Sequence, residues 1–163
     1  LAAFAPFRLD GLEQPLAAAD LDGMAWLTAR SAVPIIADES LVSAADATRL
    51  VAARACHLFN IRISKCGGLL QSLRIRHIGA RAGIGCMLGA QVGETALLSA
   101  AGRHFGTRVP DVRHFEGSFG TLLLEQDIAE DALTFGRGGE AVTIPGPGLG
   151  VEVDESRVLA FAR

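Results

Sequence analysis

Polar and charged residues fall where short apolar runs of this sequence end. Glu13 lies at the end of the run Gly11–Gln14, Asp38 and Glu39 follow the apolar part of Pro34–Asp38, and Arg62, Ser64 and Lys65 lie on or just after Phe59–Ser64. Each run has the length and the β-branched or apolar texture of a buried strand. As consecutive strands of a parallel α/β barrel, these runs would share one C-terminal rim, where such folds build their chemistry. Carboxylates brought there by successive strands are hard oxygen donors. They suit Mg²⁺, which takes few carboxylates and keeps waters that a substrate can displace. The plainer alternative is that each acid is a solvated loop residue; two in register favour a site. Arg62 stays protonated at any working pH, so its planar fork can hold a carboxylate or steady developing negative charge but is no ordinary general base. Lys65 is the nearby amine. Strand alternation puts positions 62 and 64 on one face and 65 on the other, so Lys65 must reach in from the loop or remain a supporting or surface lysine.

The elements that would position these residues are βα units. Five strands are expected, at Gly11–Gln14, Pro34–Asp38, Phe59–Ser64, Ile84–Leu88 and Val112–Glu116. Between them the apolar positions recur every three or four residues, which predicts helices near Asp20–Ser31, Ser43–Ala55, Leu70–Ala82 and Thr95–Phe105. Asp20 and Ser43 are the expected N-caps of the first two. Repeats of roughly 22 to 28 residues suit consecutive βα units of a barrel. Five units fall short of the eight strands that close one. After Gly120 the texture changes: glycines and prolines at Gly136–Gly139 and Pro145–Gly148 punctuate a segment expected to hold one more helix and a strand at Val151–Val153. The expected division is a partial barrel over residues 1–120 and a last helix with a closing segment over 121–163.

Composition narrows the function classes. The chain has 163 residues, half of them hydrophobic, which is enough for one globular domain or a piece of one. A formal net charge of −3, with its charges scattered, offers no surface for nucleic acid or anionic membrane. The longest apolar stretches, such as Leu1–Phe7, are far below a membrane span, and a cytoplasmic protein is expected. Cys56, Cys66 and Cys86 are an odd number without a CxxC pair, so reduced, small buried thiols are expected rather than disulfides or structural zinc. His57, His77, His104 and His114 lack ligand spacing such as HxxxH, which points to surface or packing roles. The glycines of Gly146–Gly150 do not lead from a strand into a helix, so a dinucleotide loop is not expected.

The motifs GLEQPL at Gly11–Leu16, VPIIADES at Val33–Ser40 and NIRISKCGG at Asn60–Gly68 resemble, in order and spacing, successive strand motifs of the enolase superfamily. MLGAQVGE at Met87–Glu94 is similar to the seventh barrel strand and FEGS at Phe115–Ser118 to the eighth, while PGLGVEVD at Pro147–Asp154 resembles the family's closing segment. The resemblance covers essentially the whole chain. It implies an α/β fold: the C-terminal part of a TIM-type (β/α) barrel, about strands 4 to 8, without the N-terminal capping domain and early strands. It also implies that Glu13 and Asp38 are the second and third of three carboxylates binding Mg²⁺, or alternatively Mn²⁺, against the carboxylate of a small carboxylic-acid substrate. The chemistry implied is removal of a proton next to that carboxylate, with the metal as Lewis acid stabilising the enolate. An aspartate as third ligand and a downstream KxGG-like element resemble the muconate lactonizing and dipeptide-epimerase branch more than the mandelate racemase branch.

One departure stands out. Where that branch carries a catalytic lysine, this sequence has Arg62, which disfavours racemisation by two opposed bases and leaves one-base chemistry such as β-elimination or cycloisomerisation; Lys65 is the second candidate base. By resemblance Glu94 orients substrate or bonds the sixth-strand residue, although it could instead cap the following helix. Glu116 contacts the distal end of substrate in relatives, or pairs with Arg113. The first metal carboxylate, the paired lysines of the second strand and the capping domain are not in the sequence, which opens at Leu1 in what reads as mid-helix. A fragment of a longer product is therefore expected. An incomplete barrel exposes sheet edges, so a homo-oligomer is expected. Two rival readings remain: a catalytically inactive relative acting as a binding or assembly protein, and a generic α/β binding module, which would hold no metal at Glu13 and Asp38.

Overall fold

In the computed structural model, residues 2–117, 120–130 and 133–162 are described. Leu1, where the expected mid-helix opens, and Ser118, the last residue of FEGS, lie outside them. Five strands, β1 (Leu12–Glu13), β2 (Ile35–Ala37), β3 (Leu58–Arg62), β4 (Gly85–Gly89) and β5 (Val112–Phe115), alternate with helices α1 (Leu21–Thr28), α2 (Ala44–Ala53), α3 (Leu69–Arg81) and α4 (Ala96–Arg108). The strands form one sheet in sequence order, β1-β2-β3-β4-β5. β1 pairs with β2 and β2 with β3 in parallel, with Glu13 opposite Ile36 and Ala37 opposite Phe59. An order that never reverses lacks the switch point of a doubly wound sheet and is that of a (β/α) barrel wall.

Local chemistry accounts for the helix starts. The Asp20 carboxylate accepts from the Gly23 amide, and Ser43 and Asp46 form a reciprocal capping box on α2. The N-terminal Ala2–Phe7 is a 3-10 helix rather than the expected mid-helix, and it contains Pro6, which has no N–H for an α-helical bond.

The chain divides into two compact units: Leu1–Ile61, Lys65–Met87 and Asp111–His114 make the first, and Arg62–Ser64, Leu88–Pro110 and Phe115–Arg163 the second. In the first, Met24, Ile35, Leu50, Phe59, Ile61 and Ile75 are fully buried. β2 is buried at all three positions, as expected of a parallel strand covered on both faces. Gly79 lets α3 approach β3, since a Cβ there would lie 2.9 Å from the Phe59 ring.

In the second unit, α4 anchors the C-terminal segment. Arg103 donates to the carbonyls of Leu133, Thr134 and Val142, and its guanidinium lies 5.7 Å from the centre of the Phe135 ring. The His104 ring bonds the Leu149 carbonyl at 3.0 Å, and Arg157 donates to the carbonyls of Asp127 and Ala129. Helices α5 (Gly120–Leu123) and α6 (Glu155–Phe161) lie in this segment. The strand expected at Val151–Val153 is reduced to a single antiparallel bridge, Ala129 to Val153. Glycines at 146, 148 and 150, all at positive φ, bend the chain just before it.

Candidate functional site

In the first unit, the ends of β1, β2 and β3 bring four side chains together. Glu13 is half-buried at the end of β1, and its Oε1 accepts from Asn60 Nδ2 at 2.8 Å. Asn60 is fully buried in β3. Asp38 follows β2 at 2% exposure, whereas its neighbour Glu39 is exposed, which separates the two acids the sequence left together. Lys65, in the turn after β3, forms an ion pair with the Asp38 carboxylate and donates to the carbonyls of Asp38 at 2.8 Å and Asn60 at 3.2 Å. The lysine thus reaches in from the loop, with its ammonium committed to three oxygens.

A divalent cation suits this donor set. Glu13 and Asp38 supply carboxylate oxygens, and the buried Asn60 Oδ1 has no hydrogen-bond partner among the described residues, leaving a third hard oxygen. The Lys65 ammonium already marks Asp38 as a carboxylate that needs positive charge beside it. Among the described residues no group of three or more His, Cys, Asp or Glu side chains forms a complete metal cluster.

In the second unit, Arg62 ends β3 and its Nη1 lies 3.5 Å from Gln91 Oε1. Glu94 is buried at 8% exposure and accepts from the Gln91 amide at 2.7 Å. Burial pushes its carboxyl above the ordinary carboxylate range; the Gln91 N–H and the Arg62 charge pull it back, and the Glu116 charge adds to the rise. Glu116, just after β5, accepts from the Ala90 amide at 3.2 Å; Arg113 belongs to the first unit, where its guanidinium lies beside Gly85. Glu94 and Glu116 both line a cavity of about 260 Å³ with Ile63, Leu88, Phe115 and Phe135. Glu94 does not cap α4 among the described contacts; the Asp127 carboxylate accepts from the Ala96 amide at 2.8 Å.

Sequence reasoning missed Gln14, Asn60, Gln91 and Asp127. Gln14 and Asn60 sit inside the quoted motifs, one beside Glu13 and the other two residues before Arg62, so strand register was the available signal for them. Asp127 acts across 31 residues, and no local signal marks it.

Comparison with known proteins decides the family. A family model described as enolase C-terminal domain-like matches residues 1–157. The chain belongs to that family. Muconate cycloisomerase 1 of Acinetobacter baylyi is 35% identical over 163 residues, covering 95% of this chain and 41% of the relative. The N-succinyl-L-Arg/Lys racemase of Bacillus cereus is 31% identical over 150 residues, covering 91% and 39%. Among solved structures, 2-chloromuconate cycloisomerase from Rhodococcus opacus superposes with a TM-score of 0.89 at 34% identity, covering 100% of this chain and 44% of that one. The chain thus spans about two fifths of the length of these two relatives, in agreement with the C-terminal barrel part that the motifs implied. Its relatives are named cycloisomerases, racemases and epimerases, the branch its aspartate and KxGG-like element resemble.

Proposed function

We propose that this chain contributes to an enzyme that removes a proton next to the carboxylate of a small carboxylic acid, with an enolate intermediate, and so acts as an isomerase or lyase. The observation that carries this reading is the pair of supported acids, half-buried Glu13 held by Asn60 and buried Asp38 held by Lys65, at the ends of consecutive parallel strands. Mg²⁺ bound there, or Mn²⁺, would act as a Lewis acid toward the substrate carboxylate. Asn60 orients Glu13, and Lys65 neutralises Asp38 and fixes its direction. Arg62, in the catalytic-lysine position, donates hydrogen bonds and steadies negative charge; its permanent protonation keeps it from taking the proton. For Lys65 to act as base, one of its three contacts must open. Glu94, whose burial favours the protonated form, is suited to hold a proton that substrate gives or receives, and Glu116 reaches the distal end of substrate. Residues 121–163 serve as the closing segment that returns to a capping domain, and the protein acts in the cytoplasm as a homo-oligomer. Muconate-like diacids and dipeptides, named for its relatives, are the first substrates to try.

The test is deuterium uptake in D₂O at the carbon next to the carboxylate, by exchange in a dipeptide or on conversion of a muconate, followed by NMR on the full-length protein with Mg²⁺ and these acids. Uptake that disappears in Asp38→Asn supports the reading. Absence of uptake with every acid contradicts it. A second reading, an inactive relative that binds rather than converts, is favoured by Arg62 itself. In that case Arg62→Lys gains no uptake; on the enzymatic reading it gains uptake at that carbon.

A further inference from the structure

Gln14 follows Glu13 directly, and nothing in the proposed chemistry uses it. Its backbone is at φ +36°, in the left-handed region that a non-glycine residue occupies only when its surroundings hold it there. The side chain supplies that hold. Gln14 Oε1 accepts from the Asp38 amide at 2.9 Å and the Ser40 amide at 3.2 Å, while Nε2 donates to the Leu16 carbonyl at 3.0 Å and to Ser40 Oγ at 2.8 Å. These four bonds use both donors and two acceptor positions of the amide. They also fix its orientation, because a flipped amide would point N–H groups at two amides and its oxygen at a carbonyl. Ser40 Oγ passes the connection on to the Ala18 carbonyl at 2.9 Å, and the Gln14 backbone N–H bonds the Ile36 carbonyl at 2.9 Å.

The consequence lies in what is tied to what. The Asp38 backbone is held on both sides: its N–H by Gln14, and its carbonyl by the Lys65 ammonium and the Leu41 amide. Glu13, one residue from Gln14, is held at its carboxylate by Asn60. One side chain therefore links the backbone that carries the first acid to the backbone that carries the second. We propose that Gln14 is a positioning residue that fixes the spacing of the Glu13 and Asp38 carboxylates and thereby sets both the affinity of the cation site and its preference for Mg²⁺ over Ca²⁺. The inference rests on the divalent-cation reading above. A rigid spacing favours the small ion, which demands near-ideal geometry at about 2.1 Å, whereas Ca²⁺ accepts flexible ligands at roughly 2.3–2.6 Å. Residues that orient metal ligands without touching the metal change affinity by about 10- to 100-fold.

The experiment is calorimetric titration of the full-length protein with Mg²⁺ alone and with Ca²⁺ alone, for the wild type, Gln14→Ala and Gln14→Glu, far below their melting temperatures. Hydrogen exchange at the Asp38 and Ser40 amides is followed alongside. The expected result for Gln14→Ala is a loss of roughly tenfold or more in Mg²⁺ affinity, a smaller loss for Ca²⁺, and faster exchange at both amides. Gln14→Glu keeps both acceptor bonds and recovers part of the Mg²⁺ preference. If Gln14→Ala leaves Mg²⁺ affinity unchanged, or lowers Mg²⁺ and Ca²⁺ affinity in the same proportion, the inference is overturned and the cation reading survives. A wild type that binds no cation overturns both, and protected amides at 38 and 40 then show that Gln14 serves the fold alone.

Discussion

The cluster around Asp38 and the cluster around Glu94 each bury a carboxylate, at 2% and 8% exposure, and they treat its charge differently. Asp38 has an ammonium in direct contact, and the backbone on either side of that carboxylate is pinned by hydrogen bonds. Glu94 has one amide N–H in contact, a guanidinium whose pull is weaker than the burial, and a second carboxylate, Glu116, pushing the same way as burial. The first arrangement pairs an acid with a cation and fixes its direction. The second weakens an acid, as a proton-carrying group requires. One sheet thus supplies both kinds of acid by changing which partner stands beside each.

The largest expected effect comes from removing the partner charge in the first cluster. Lys65→Met removes the ammonium from the buried Asp38 carboxylate and should lower unfolding free energy by about 3–5 kcal/mol in urea denaturation. A change within experimental error would mean that the pair is not the electrostatic anchor of its cluster. In the second unit Arg103 instead ties down the C-terminal strap. Arg103→Ala removes donors to three carbonyls and should cost about 2 kcal/mol and speed proteolytic cleavage within residues 133–142. Unchanged cleavage would count against that strap.

The smallest effect is a pH dependence. Because the Glu94 carboxyl is raised by burial, its favourable contribution is complete below the unfolded-state pKa and is lost as pH rises through the folded one. Glu94→Gln keeps an acceptor for the Gln91 amide and removes the charge. Its melting temperature should therefore exceed that of the wild type by more at pH 7 than at pH 4. A difference of the opposite sign would mean that burial does not weaken the Glu94 acid.

Much of the frame was legible in the sequence because it is set locally. The caps Asp20 and Ser43 act over three residues, and β2 and β3 read as apolar runs because they are buried on both faces. Glu13 and Asp38 could be placed at strand ends for the same reason. The amides that support them could not be read: Gln14 bonds residues 24 and 26 positions away, and Asn60 bonds Glu13 across 47. Those partners depend on the parallel register between strands, which periodicity does not specify. The closing segment was least legible because its order comes from Arg103, His104 and Arg157 bonding backbone carbonyls, acceptors that every residue offers.

The central claim is that the buried acid at the end of β2, and not its exposed neighbour, holds a divalent cation. Calorimetric titration of Mg²⁺ into the full-length wild type, Asp38→Asn and Glu39→Gln tests it directly. The account predicts binding by the wild type and by Glu39→Gln and none by Asp38→Asn. Binding that survives in Asp38→Asn, or is absent from the wild type, would contradict it.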